Sequence, residues 1–272
     1  MGKFDGVLLV SDYDDTLYDL NLTVSDRNRQ AIERLIAQGG RFTIATGRAH
    51  RTFTPQIAKE RIPINAPVVL SNGASIYDYD RDRALMETAL PPEAPKHLAQ
   101  LARAIPEIGF EAYYGETIYV YQANEVTRNH MDRVGGTYLQ CPIEDMPTPW
   151  VKVILEQDWP VLQRAQRWLL DHYGDRYEAI FSNRYLLEVT AKGATKGGMV
   201  TWIRDRLGIA PEHVYCIGDN QNDIPMLALS AIPFAPANCA PEVREWGARI
   251  LCHCNEGAVA QAIQILEEAY PE

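Results

Sequence analysis

A short apolar run, Val7-Leu8-Leu9-Val10, leads straight into Ser11-Asp12-Tyr13-Asp14-Asp15-Thr16-Leu17. A run that is apolar at every position, and this short, fits a strand buried on both faces. Strands of that kind belong to parallel sheets covered by helices. In an open parallel sheet the carboxyl ends of the strands line the ligand crevice. The first residues of the chain therefore predict an α/β fold and an acidic site at the end of its first strand.

The next residues keep the same rhythm. Thr23 or Ser25 can cap a helix that reaches Gln38, with Ile32, Leu35 and Ile36 on one face and Gly39-Gly40 as its stop. Phe42-Thr43-Ile44-Ala45-Thr46 reads as a second strand, residues 50–59 as a polar helix, and Pro67-Val68-Val69-Leu70 as a third strand. The rhythm returns late in the chain. Residues 195–207 read as a helix ending at Gly208, Val214-Tyr215-Cys216-Ile217 as a strand, and residues 224–229 as a short helix. Two further strands, at 232–235 and 248–251, precede a last helix at 257–270. Strand and helix in alternation are the signature of a doubly wound parallel sheet.

The middle departs from this pattern. A hairpin is expected around Asp80-Arg81-Asp82, and Pro91, Pro92 and Pro95 then punctuate the chain. Thr117-Ile118-Tyr119-Val120-Tyr121, Val151-Lys152-Val153-Ile154-Leu155 and Tyr185-Leu186-Leu187-Glu188-Val189 are rich in β formers, with helices expected at 95–104 and 161–173. We read residues 88–186 as an inserted α+β domain, and residues 1–87 and 187–272 as one interrupted core.

Composition narrows the function classes. The 272 residues carry 26 Lys and Arg against 36 Asp and Glu, a net charge of −10. No basic surplus exists to drive phosphate-backbone binding, so a nucleic-acid partner is not expected. An acidic chain can still take an anionic substrate if the site supplies local cations. The opening apolar run is too short for a signal peptide or a membrane span. Gly2 fails the myristoylation pattern because Gly6 stands where Ser or Thr is required. A cytoplasmic protein without membrane contact is expected. The five cysteines are odd in number and suit reduced thiols. Cys252-His253-Cys254 lacks the second ligand pair of a structural zinc site.

Four segments can carry chemistry. In Asp12-Tyr13-Asp14, alternate residues can bring two carboxylates to one point. Carboxylates that close repel one another and favour a cation between them. Oxygen-only ligands suit Mg2+. An Asp-rich turn capping a helix would look the same. Gly218-Asp219-Asn220-Gln221-Asn222-Asp223 also follows an apolar strand, and Asp219 stands where a third carboxylate is needed. In Ala45-Thr46-Gly47-Arg48 a hydroxyl and free backbone N–H groups can hold a phosphoryl oxygen, or simply cap a helix. Lys196 opens a helix, where the dipole disfavours a cation, so either an anion compensates or the side chain is solvated.

Taken in order, DYDDTL, ATGR, TKG and GDNQND resemble the motifs of the haloacid dehalogenase superfamily of phosphotransferases. Ser71-Asn72-Gly73-Ala74 and Ala237-Asn238-Cys239-Ala240 are similar to its Cof-type branch, which carries a large α/β cap between the second and third motifs. The resemblance covers the whole chain. It implies that Asp12 is the nucleophile and forms an aspartyl-phosphate, with Asp14 as acid and base. It implies Mg2+ on Asp12, the backbone carbonyl of Asp14, and Asp219. Thr46 and Lys196 would hold phosphoryl oxygens, Asn222 would contact phosphate, and Asp223 would orient a metal-bound water or Lys196. Gly47 and Arg48 complete the phosphate and substrate side, Arg48 as the core's candidate substrate contact. Asp15 replaces the Gly of many branch members, which can alter the turn or add a charge near the cap.

The expected activity is a Mg2+-dependent phosphatase acting on small phosphorylated metabolites, sugar phosphates first among them. Polar and aromatic residues of the insert able to meet a hydroxylated group are Tyr113, Tyr114, Tyr119, Tyr121, Asn183, Arg184 and Tyr185. A sugar phosphomutase with the same nucleophile is the nearest alternative. A metal-dependent binding protein without turnover is another. A dinucleotide enzyme is disfavoured, since no GxGxxG follows the first strand.

Overall fold

A computed structural model describes residues 2–270. The core begins with β1 (Leu8–Ser11), α1 (Asp26–Ala37), β2 (Arg41–Ile44), α2 (His50–Glu60), β3 (Val68–Leu70) and the hairpin β4 (Ser75–Asp78) and β5 (Arg83–Glu87). The chain then leaves for the cap: α3 (Ala94–Ala104), β6 (Gly109–Tyr114), β7 (Thr117–Tyr121), α4 (Glu125–Val134), β8 (Tyr138–Gln140), β9 (Lys152–Glu156), α5 (Trp159–Tyr173), β10 (Tyr177–Phe181) and β11 (Leu186–Ala191). It returns through α6 (Lys196–Leu207), β12 (Val214–Ile217), α7 (Ile224–Leu227), β13 (Pro233–Ala235), α8 (Pro241–Trp246), β14 (Arg249–Ile250) and α9 (Ala258–Ala269).

The core sheet is parallel throughout, in the order β14-β13-β12-β1-β2. Its interior strand β1 is buried on both faces. Val7 and Leu9 pack with Ile32 and Leu35 of α1 and with Val259 and Ile263 of α9. Leu8 and Val10 face the other way, toward Val200 and Ile203 of α6. This is the period of two that a strand imposes. Ser25, not Thr23, caps α1: its hydroxyl accepts the Asn28 N–H at 3.2 Å.

The cap has its own six-stranded sheet, β10-β11-β9-β6-β7-β8, antiparallel except where β7 meets β8. The expected return to the core at 187 falls inside β11. Hydrogen bonding to β9 and β10 keeps that strand in the cap sheet as far as Ala191. Four cap elements, β6, α4, β8 and β10, go beyond those read from the sequence. Helices α3 and α5 cover one face, where Leu98, Leu101, Leu162 and Leu169 meet Phe110, Val153, Leu155 and Leu187. The opposite face bears Glu111, Lys152, Glu156 and Glu188, all buried. Buried charge on a sheet face is the informative exception to apolar interiors. Among the described residues no helix is long and apolar enough to cross a membrane.

Leu155, wholly buried between β9 and the α3–α5 layer, tests the assignment of the cap's apolar face. Leu155→Ala should cost about 2–5 kcal/mol in a urea titration of the cap. A loss within the roughly 0.5 kcal/mol typical of surface substitutions would contradict its place in that core.

Candidate active site

The crevice forms where β1, β2 and β12 end. The Asp12 N–H donates to the Ile217 carbonyl at 2.8 Å, so the β1–β12 ladder runs on by one residue. That bond sets Asp12 beside the loop carrying Asp219. Thr46 is held in the same way, its N–H donating to Val69 at 2.9 Å.

Lys196 joins the two halves of the core. Its Nζ lies 2.5 Å from Asp12 Oδ1 and 2.6 Å from Asp223 Oδ1. All three side chains are buried. Asp223 Oδ2 accepts the backbone N–H groups of Asp219 at 2.9 Å and Asn220 at 3.0 Å. The missing side chain of Gly218 makes room for this: a Cβ there would stand 2.4 Å from Asp223 Cγ. The anion that compensates a lysine at a helix N-terminus is thus a pair of carboxylates.

Electrostatics follow from burial. Desolvation pushes Asp12 up to about 7, with Lys196 opposing and Asp223 adding to the rise. Asp219 is pushed well above the ordinary carboxylate range, first by burial and then by Asp12 and Asp223. Burial works against the Lys196 ammonium, but Asp12 and Asp223 outweigh it and raise its pKa. Carboxylate oxygens of Asp12, Asp219 and Asp223 lie within 4.8 Å of one another. Lys196 pairs with two of the three carboxylates, so full ionisation of all three would leave two negative charges to balance. The Asp219 carboxylate accepts only one long bond among the described residues, from Thr16 Oγ1 at 3.5 Å. An oxygen-only set with a free buried carboxylate fits a hard divalent cation.

The carboxylate of Asp14 does not join that cluster. It turns to Arg48, which grips it with Nε at 2.9 Å and Nη2 at 2.7 Å. The guanidinium also lies over the rings of Tyr13, at 5.1 Å, and Tyr18, at 5.6 Å. Desolvation works against the Arg48 charge, but the bond to Asp14 more than offsets it and raises the arginine. Asp15 has φ 61°, a left-handed conformation that glycine adopts without strain. Its carboxylate meets Arg133 of the cap at 2.7 Å.

Thr46 Oγ1 accepts the Arg48 N–H at 3.1 Å. Asn222 donates to Asn72 Oδ1 at 2.9 Å, and the buried Asn72 Nδ2 has no partner among the described residues. In the sequence Asn72 stands out only as part of Ser71-Asn72-Gly73-Ala74. Its role in holding Asn222 needed the fold.

A cavity of about 710 Å³ separates core from cap. Asp12, Asp14, Gly47, Arg48, Asp219 and Asn222 line it from below; Tyr113, His130, Lys152, Asn183, Tyr185 and Glu188 line it from above. Thr46, Lys196 and Asp223 are not among its lining residues. Tyr119 and Tyr121 pack toward the α3–α5 layer, because alternation on β7 turns them away. Lys152, unremarked in the sequence, crosses between domains. Its Nζ donates to the Gly47 carbonyl at 2.8 Å and to Glu188 at 3.1 Å.

Over residues 9–263 the chain matches the haloacid dehalogenase-like hydrolases. It belongs to that family. A putative phosphatase of Streptococcus pyogenes is 25% identical, over 94% of this chain and 97% of its own length. The 5-amino-6-(5-phospho-D-ribitylamino)uracil phosphatase YwtE of Bacillus subtilis is 26% identical, over 95% and 98%. The fold is shared with the HAD subclass IIB sugar phosphatase BT4131, at TM-score 0.83 and 21% identity over 95% of this chain and 98% of that one. The resemblance to the Cof-type phosphatases therefore holds across this hydrolase, cap included.

Removing the only ammonium of the cluster should expose the charge imbalance. Lys196→Met is expected to cost about 3–5 kcal/mol at neutral pH in urea unfolding. Millimolar Mg2+ should restore part of that loss. Unchanged stability would contradict a buried ion pair at this position.

Proposed function

We propose that this phosphoric monoester hydrolase is a Mg2+-dependent phosphatase of small phosphorylated metabolites, sugar phosphates among them, with Asp12 as its nucleophile. The reading rests on Asp12 and Asp219 meeting at the floor of the cavity, with the buried Lys196 bonded to Asp12. When bound on Asp12, the backbone carbonyl of Asp14, and Asp219, magnesium would neutralise phosphoryl charge that otherwise repels the attacking carboxylate.

The chain's own residues perform the rest. An Asp12 oxygen attacks phosphorus and forms an aspartyl-phosphate while the ester oxygen departs. Asp14 gives that oxygen a proton and then takes one from the water that hydrolyses the intermediate. In the present arrangement Arg48 occupies both Asp14 oxygens. Arg48 must free one of those oxygens before Asp14 can reach the ester oxygen. A leaving group that accepts the guanidinium's bonds performs that release. Lys196, Thr46 and Asn222 hold phosphoryl oxygens, with Gly47 supplying backbone; Asp223 orients Lys196. Positioning of this kind supplies most of the rate in phosphoryl transfer.

The cap shields the reaction. Lys152 on Gly47 and Arg133 on Asp15 hold it against the core, so bulk water is kept from the intermediate. Support for a hydroxylated leaving group comes from Asn183, Tyr185 and Glu188 on the cavity roof. Five free cysteines suit the cytoplasm.

Pure protein with Mg2+ should release inorganic phosphate from members of a sugar-phosphate panel. Asp12→Asn should abolish release while circular dichroism stays unchanged. Asp14→Asn should lower kcat by about 10²–10⁴-fold. An active Asp12→Asn protein would refute the nucleophile, and no release from any ester would refute the phosphatase.

A further inference from the structure

The buried charge on the inner face of the cap is not all spent on the catalytic cavity. Glu111 on β6 and Glu156 on β9 lie on adjacent antiparallel strands, and neither has exposed surface. Register pairs Gly109 with Glu156 and Glu111 with Ile154, which sets the two carboxylates diagonally on one face. His130 of α4 closes the group. Its Nδ1 is 2.9 Å from Glu111 Oε1 and 3.8 Å from Glu156 Oε1.

The outer oxygens are already anchored. The Tyr113 hydroxyl donates to Glu111 Oε2 at 2.7 Å, and Thr127 Oγ1 donates to Glu156 Oε2 at 2.5 Å. The inner oxygens are left to converge. Glu156 Oε1 is buried without any hydrogen-bond partner among the described residues. The ligand atoms of Glu111, His130 and Glu156 all lie within 4.8 Å of one another. Lys152, the nearby cation, is committed to Glu188 and Gly47.

Outer atoms tied down and inner atoms pointing at one spot are the build of a metal site. We propose that the cap holds a divalent transition ion of the Zn2+ class on Glu111, His130 and Glu156, apart from the oxygen-only site of the core. Two carboxylates balance the charge of such an ion, and an imidazole favours it over magnesium. Binding needs the His130 Nδ1 free of a proton, so that its lone pair can face the ion. Three protein ligands leave a position open. The ion ties α4 to β6 and β9, and α4 carries the Arg133 that meets Asp15 of the core. A proton shared between the two carboxyls is the competing occupant.

Chelator-stripped full-length protein in excess Mg2+ should be titrated with Zn2+ by calorimetry. The wild type and Asp219→Asn should each bind one equivalent, and Glu156→Gln and His130→Asn should lose it. Co2+ should give a visible absorption band in the wild type that is absent from Glu156→Gln. No equivalent in the wild type would leave a proton in the cluster and overturn the proposal. An equivalent that survives both cap variants would belong to thiols such as Cys252 and Cys254, and one lost in Asp219→Asn would belong to the core; either result overturns it too. Should Glu156→Gln fail to fold, His130→Asn carries the test, since that side chain is partly exposed. None of these readouts depends on turnover, so their failure leaves the phosphatase reading standing.

Discussion

A lysine with no contact to bulk water lies between two carboxylates from opposite ends of the chain. Lys196 reaches Asp12 across 184 positions of sequence and Asp223 across 27. Ions in a dry environment are stable only when paired and hydrogen-bonded. Much of the core architecture serves that pairing. β1 and β12 must be neighbours for their loops to meet, and α6 must start where both loops end. Gly218 must lack a side chain for Asp223 to fit. One ammonium against three carboxylates still leaves the cluster short of positive charge, which makes it both a structural joint and a place for a divalent cation.

The cap repeats this logic with a different division of labour. One face of its sheet is apolar and packs under α3 and α5. The other holds ionisable groups away from water, each with a partner drawn from another element: Lys152 with Glu188, His130 with Glu111. Such pairs add little net stability, since desolvation consumes much of the Coulomb gain. They define instead which way the cap faces. Lys152 reaches the carbonyl of Gly47, next to Thr46, so the position of the cap and the turn after β2 are linked through one hydrogen bond.

The sequence was most legible where pattern is local. The apolar run before Asp12, the strand before Asp219 and the helix opened by Lys196 all stand where their composition implies. Helix α4 was missed because its buried stripe is thin, with Thr127 and Met131 as its buried residues. A readable signal existed at its start, since Asn124 and Thr127 form a reciprocal cap. The pairing of Arg48 with Asp14 left no trace in spacing, because it depends on how β2 lies beside β1. The tyrosines of β6 and β7 looked equivalent until sheet alternation divided Tyr113 from Tyr119 and Tyr121. Asp15 was noticed as a departure from glycine, but its partner Arg133 sits on the helix that pattern did not reveal.

The proposed chemistry requires that Asp12 and Asp219 ligate one shared ion. Crystals soaked with Mn2+ in place of magnesium test it through anomalous scattering. A single strong peak is expected in the core, within bonding distance of both carboxylates. A core without a peak, or a peak bound to one carboxylate with the other pointing away, would contradict it.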